Sequence, residues 1–427
     1  MDNSLPPRLR SVPTETKLVI GLVSGAELVN HMYLVLFPPI LGVLASDFEV
    51  SLFLLGLAMG AQGVTNTVFQ LPFGYLSDNY SRTLTLGLSL GFGTLGVFIV
   101  AVAPSYPVLV AGQLLLGLGV AGHHPTHFPL LSEATPPELR GRAFSMRGFA
   151  GNIGFAIPPA FITAAIGLGG LSWRHAVGLI GIAGAVYTIV TLFVFVRYVG
   201  PGVTRPDRDD TTDTHTTRPL SQRILAELRS LAAAPAILAL TFLAFIAAMS
   251  GWGVTTYTVI LLTDGYGVGL DTANLTLTAM FLAGAVMVLV GGDLADRLEP
   301  GPVIVATFAV VGLLVTLFGS LAIPPVFAIV VALLIGGIRS LAGPARSKLT
   351  DSFSGRQALG MNFATITVGT MVGGALAPAL FGALIDYVAI QVAFFAIAGF
   401  TFLALFVTVA IVYSYDESTS SEGVSTD

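Results

Sequence analysis

The residues of this chain best suited to chemistry are few, and each sits inside a long apolar stretch. Glu27, Asn30 and His31 interrupt one such stretch, and Glu27 and His31 are four residues apart. On a helix that spacing puts them on one face. Burial disfavours a charged carboxylate and a nearby cation favours it. A carboxyl balanced between those effects can take up and release a proton. His123, His124 and His127 interrupt a second stretch. Imidazole titrates near neutral pH, so His124 or His127 could relay protons or bond a solute. The bland alternative is packing beside Pro125 or hydrogen bonding between helices. His123 and His127 also have the i, i+4 spacing of metal ligands, with Glu27 as a third donor. No wider ligand pattern accompanies them, so no metal and no cofactor is expected.

Arg339 lies within Gly336-Gly-Ile-Arg339-Ser-Leu-Ala-Gly343. Its fork of donors fits carboxylate or phosphonate oxygens, and small neighbours allow close approach. The competing readings are anion binding and a permanent ion pair, with Glu27 as the candidate partner. Trp252, Thr255, Thr256 and Tyr257 could shape a pocket or simply pack. Asn152 is deep enough in its stretch to face a cavity. Arg147 reads as an anchor near one membrane surface, and Asp386 as a solvated residue at the other.

These side chains need a frame that carries them through lipid. The 427 residues are 54% hydrophobic and only 10% charged, against about 25% charged in soluble proteins. About 20 apolar residues cross the hydrocarbon as a helix. Twelve stretches qualify, at 18–41, 52–76, 83–103, 107–131, 143–168, 175–197, 235–262, 274–294, 301–323, 326–349, 358–385 and 388–413. They are continuously apolar rather than alternating, which argues against a membrane β-barrel. The expectation is an all-α membrane protein of twelve transmembrane helices in two pseudo-symmetric six-helix bundles, at 18–198 and 235–413. A tail at 1–17, a linker at 199–234 and a disordered tail at 414–427 flank them. Within the linker, the spacing at 220–231 suits a helix lying on the membrane surface. The run after the polar N-terminal tail is too long for a signal peptide.

Cations fix the orientation. With both termini inside, the inner segments hold seventeen of the nineteen Lys and Arg residues, and the outer loops hold only Arg174. The remaining one, Arg339, falls inside a span. The absence of Cys excludes disulfides and thiolate metal sites, and no basic tract points to nucleic acid.

The two halves repeat. Leu130, Gly141, Phe144, Gly154, Ala156, Pro159 and Ala160 recur 219 residues later as Leu349, Gly360, Phe363, Gly373, Ala375, Pro378 and Ala379. Parallel repeats with a solute bound between them at mid-membrane are a transporter architecture.

Two loops carry a family resemblance. Gly74-Tyr-Leu76-Ser-Asp78-Asn-Tyr-Ser-Arg82 and Gly292-Asp-Leu294-Ala-Asp296-Arg297 resemble the Gly-x-Leu-Ala-Asp-Arg loop of the major facilitator superfamily. Gly74, Asp78, Arg82, Gly292, Asp296 and Arg297 would form conformational latches, with glycine allowing close approach of helix ends. The first copy departs from the pattern, with Ser81 and Thr83 where Gly and a basic residue are usual. His31, Gly122-x-His124-Pro125 and Gly151-Asn152-x-Gly154 are similar to the fosmidomycin-resistance branch of that superfamily. The resemblance implies that spans one, four, seven and ten line a central cavity. It also implies a monomeric, non-enzymatic carrier of a small organic solute, anionic or drug-like, in the cytoplasmic membrane. Proton-coupled efflux by alternating access is the expected mode. Gln113 and the Gly154-Phe155 pair depart from drug-antiporter motifs, which leaves proton- or sodium-coupled uptake of a metabolite such as a carboxylate as the alternative. A membrane sensor on the same fold is a more remote one.

Overall fold

The structure is a computed structural model that describes residues 12–205, 235–353 and 359–422. The helix expected at 220–231 lies outside those residues. Lipid offers no partner for backbone N–H and C=O groups, so apolar spans must satisfy them internally, as helices do. Twelve helical stretches are long and apolar enough to cross a membrane. Spans one to six are Thr14–Asp47, Leu52–Asn79, Arg82–Val102, Tyr106–Ala134, Pro137–Gly167 and Trp173–Tyr198. Spans seven to twelve are Pro235–Gly265, Leu270–Arg297, Pro300–Gly319, Pro325–Phe353, Thr365–Tyr387 and Ile390–Val412. No strand occurs among the described residues. The final helix continues to Glu422, past the point at which a disordered tail was expected. A nucleated helix extends at little further cost.

Local sequence explains where helices start and break. Ser51 and Ser81 cap spans two and three by accepting from the N–H groups of Leu54 and Leu84. Spans four and ten are both interrupted, between Ala121 and His123 and between Arg339 and Ala342. Pro125 and Pro344 follow those breaks. Proline has no N–H to donate and crowds the carbonyl four residues back, here Ala121 and Ser340. The two breaks therefore obey the 219-residue repeat.

The halves meet closely at the ends that carry Asp47, Asp264 and Asp271. There Asp386 of span eleven accepts from the backbone N–H of Leu52 at 3.2 Å and of Phe53 at 2.6 Å. From its place at a span end, Asp386 is expected to be solvated. It is exposed, but it caps a helix of the opposite half, because the first N–H groups of span two have no partner within their own helix. Below it the two backbones touch. A Cβ on Gly56 would collide with the carbonyl of Pro378 and come within 2.7 Å of Ala379 Cα. On Gly63 it would come within 2.7 Å of Ala375 Cβ. Towards the cation-rich ends, Val64, Val68, Leu71 and Tyr75 of span two and Val368 and Val372 of span eleven are exposed.

One apolar core runs through both halves, while a second lies at the cation-rich ends of spans seven, eight, nine, ten and twelve around Ile246, Ile304 and Ala404. The molecule is closed at its acidic face. A cavity lies between the halves and extends towards the cation-rich side.

Candidate functional site

Two polar assemblies lie inside the membrane-spanning bundle, and a row of three stacked rings joins them. The first is centred on Glu27, which is 2% exposed. Its Oε1 is 2.8 Å from Arg147 Nη2 and 3.5 Å from His31 Nε2. Its Oε2 is 2.9 Å from His127 Nδ1 and 3.8 Å from His123 Nε2. Arg147 Nη2 also bonds His124 Nδ1 at 2.8 Å, and its guanidinium lies 4.5 Å from the centre of the Phe128 ring.

Spans one, four and five supply these groups because glycines let span five lie against span one. A Cβ on Gly151 would strike the His31 ring, and one on Gly154 would strike the carbonyl of Leu28. Arg147 is therefore a buried partner of Glu27 and not a surface anchor. The helix that bears it begins at Pro137 rather than near 143. At 1.5 Å per residue, Arg147 stands roughly 15 Å from its start. The Nε2 atoms of His123 and His127 are buried with no hydrogen-bond partner. Ligand atoms of Glu27, His123 and His124 lie within 4.8 Å of one another, close enough for a metal. Arg147 already places a positive charge between Glu27 and His124, so the arrangement is an ion-pair network.

The second assembly is the cavity of about 310 Å³ between the halves. Arg339, Arg346, Asn152, Trp252, Phe155 and Phe281 are among its lining. Arg339 does not pair with Glu27. Its Nη1 donates to the Gly251 carbonyl at 2.9 Å, an approach open only because Gly251 has no side chain. The two assemblies are linked by rings: His31 stacks on Phe155 at 4.3 Å, and Phe155 stacks on Phe281 of the second half at 5.4 Å.

The remaining expected residues divide. Asn152 and Trp252 line the cavity, and Asn152 Nδ2 donates to the Gly148 carbonyl at 3.0 Å. Tyr257 does not reach the cavity. It is fully buried, with its hydroxyl donating to the Pro378 carbonyl, because its ring points into the packing between spans seven and eleven. Asn30 is buried and donates to Ala26 of its own helix at 3.0 Å.

The loop motifs are held within their own halves. Arg82 reaches the Val203 carbonyl at 2.8 Å and Glu133 at 3.5 Å. Ser77 bonds the Pro125 carbonyl. Arg297 pairs with Asp293 at 2.8 Å rather than with Asp296, since i, i+4 neighbours share a helix face. The glycines are not needed for close approach here. A Cβ on Gly74 would find Pro125 at 3.9 Å, and one on Gly292 would find open space.

Sequence reasoning missed Phe155, Phe281 and the cavity position of Arg346. The repeat offered a signal for the last, since Arg346 follows Pro344, the partner of Pro125, by two residues, as His127 follows Pro125.

The chain matches the family model of the Major Facilitator Superfamily over residues 23–273 and 240–426. It is 34% identical over 127 residues to the inner membrane transport protein YajR of Escherichia coli, covering 29% of this chain and 28% of that one. It is 23% identical over 283 residues to the fosmidomycin resistance protein of the same organism, covering 66% and 65%. With the nitrate/nitrite transporter NrtP of a Picosynechococcus species it shares 29% identity over 187 residues, covering 37% and 34%. These alignments span less than two thirds of the relatives' lengths. Among solved structures, a bacterial homologue of the human lysosomal transporter Spinster, in an inward-facing and occupied conformation, superposes with a TM-score of 0.76 at 13% identity. That match covers 94% of this chain and 98% of the other. The nucleoside transporter NupG superposes with a TM-score of 0.74 at 11% identity, over 92% and 99%. The twelve spans, the repeat and the family match converge, and the chain belongs to the major facilitator superfamily.

Proposed function

We propose that this secondary transporter exports a small organic anion through the Arg339 cavity, driven by proton exchange at Glu27. The observation that carries the reading is the cavity's charge. Two arginines line it, and among the described residues no Asp or Glu does. A cation held in a water-poor site without a counterion is costly, and a bound anion relieves that cost. The excess of Lys and Arg at one end supports a cytoplasmic location for that face and for both termini.

The coupling route follows from the link between the assemblies. Glu27, Arg147 and the four imidazoles form a network in which one added proton breaks an ion pair. His31 is its point of contact with the cavity wall, through Phe155. Rocking of the halves would alternate which face can protonate Glu27. One charge crossing about 100 mV yields about 2.3 kcal/mol, enough for roughly a fifty-fold solute gradient. Similarity to a resistance protein supports export. Similarity to a nitrate/nitrite carrier supports an anionic cargo and keeps uptake as the second reading.

The test is proton flux into proteoliposomes in response to added anion, with an imposed pH gradient of either sign. Export coupling predicts that anion movement runs opposite to proton entry and that Glu27→Gln abolishes the coupling. Equal coupling in Glu27→Gln removes the carboxylate from this role, and co-directional movement establishes symport.

A further inference from the structure

We infer that the cargo carries two negative charges, one met by Arg339 and the other by Arg346. This rests on the reading of the central cavity as an anion site, and it names the class of anion. Arg346 belongs to two adjoining cavities. It lines the central one and also a smaller one of about 180 Å³ on the cation-rich side, whose wall includes Leu240, Ser347, Thr350 and Phe363. Gly343 and Thr370 are likewise shared, so the two spaces meet at Arg346.

The partners of the two arginines differ. Arg339 spends one N–H on the Gly251 carbonyl, which leaves most of its five donors free. Arg346 has its Nε buried with no hydrogen-bond partner. Among the described residues, no acidic side chain lines either cavity. A singly charged cargo would leave one of these cations uncompensated, whereas a doubly charged one satisfies both. The two are seven positions apart in span ten, on either side of its break, so the charges are staggered along the cavity rather than set side by side. Trp252, Phe155 and Phe281 also line the central cavity, and such rings suit a flat apolar body. The class is a compact molecule with two separated anionic groups on an apolar body.

Three matched probes test this: benzene-1,4-dicarboxylate, its monomethyl ester and its dimethyl ester. Calorimetric titration of the purified full chain should show the dianion binding about tenfold tighter than the monoanion, the scale of one charge-assisted contact. Arg346→Gln should bring the two within about twofold, and Arg346→Lys should restore the preference. Arg339→Gln should weaken both acids. Preference for the dianion that persists in Arg346→Gln overturns the assignment of the second charge, while Arg339-dependent monoanion binding would still uphold the anion site. Equal binding of all three probes, or of none, overturns both. Thermal unfolding of each variant, within a few degrees of the parent, shows that a lost preference is not lost folding.

Discussion

Replacing Asp386 with Ala should loosen the closed acidic face and shift the molecule towards a state open on that side. The carboxylate accepts two backbone N–H groups at the start of span two, at 3.2 and 2.6 Å, so its bonds exist only while the halves are closed. Hydrogen bonds to a charged group contribute about 1.5–3 kcal/mol each in protected settings. Asp386 is exposed, and solvent screening reduces such contacts to about 0.5–1 kcal/mol each. Two of them give about 1–2 kcal/mol, or a 5–30-fold change in the ratio of closed to open molecules. Opening must also part the helix contact at Gly56, which Asp386 does not touch, so the substitution changes the equilibrium without abolishing closure. The chain has no cysteine, so Ser105→Cys and Ala322→Cys can carry spin labels on the two halves of that face without background. Pulsed distance measurement should show the longer-distance population rising 5–30-fold relative to the shorter in Asp386→Ala, and by less in Asp386→Asn, which keeps one acceptor. An unchanged distribution in Asp386→Ala would refute the idea that this cap holds the face closed.

Gly56→Val should act more strongly in the same direction, because its side chain would enter the space of the Pro378 carbonyl. The same labels should report an open face and transport should fall, whereas normal turnover would show that the halves separate elsewhere. Arg147→Ala leaves Glu27 buried without its cation and should cost about 3 kcal/mol. Adding Glu27→Gln should recover part of it, so thermal unfolding of the two single variants and the double variant should give a coupling energy above about 1 kcal/mol. Additive effects would mean that the pair is not formed. Tyr257→Phe removes one buried hydrogen bond to Pro378 and should cost about 0.5–1.5 kcal/mol of stability while leaving cargo affinity unchanged, since Tyr257 lies outside the cavity wall. A tenfold loss of affinity would place it back in the site.

The parts of the fold legible in the sequence are those set by local chemistry. Hydropathy located the spans, because lipid imposes its demand on each segment separately. The prolines at 125 and 344 mark the breaks in spans four and ten, because a missing N–H acts on its own helix whatever surrounds it. Unusual polar residues in apolar stretches flagged Glu27, His31, His127 and Arg339 for the same reason: the cost of placing them in lipid is local.

Pairing between distant segments was not legible. Glu27 meets Arg147 and not Arg339, across 120 positions of sequence, because glycines at 151 and 154 bring span five against span one while Arg339 finds the Gly251 carbonyl on its own side of the cavity. The cap made by Asp386 was not legible because nothing near it in the chain announces that a helix of the other half starts within reach of its oxygens. The sequence left Tyr257 open between pocket and packing because composition does not say which way a helix is turned. Hydropathy reports how far along the membrane normal a residue lies. The rotation of each helix about its axis, and the choice of neighbour, come from side chains interlocking across the bundle. Those choices separate a buried ion-pair network from the cavity beside it.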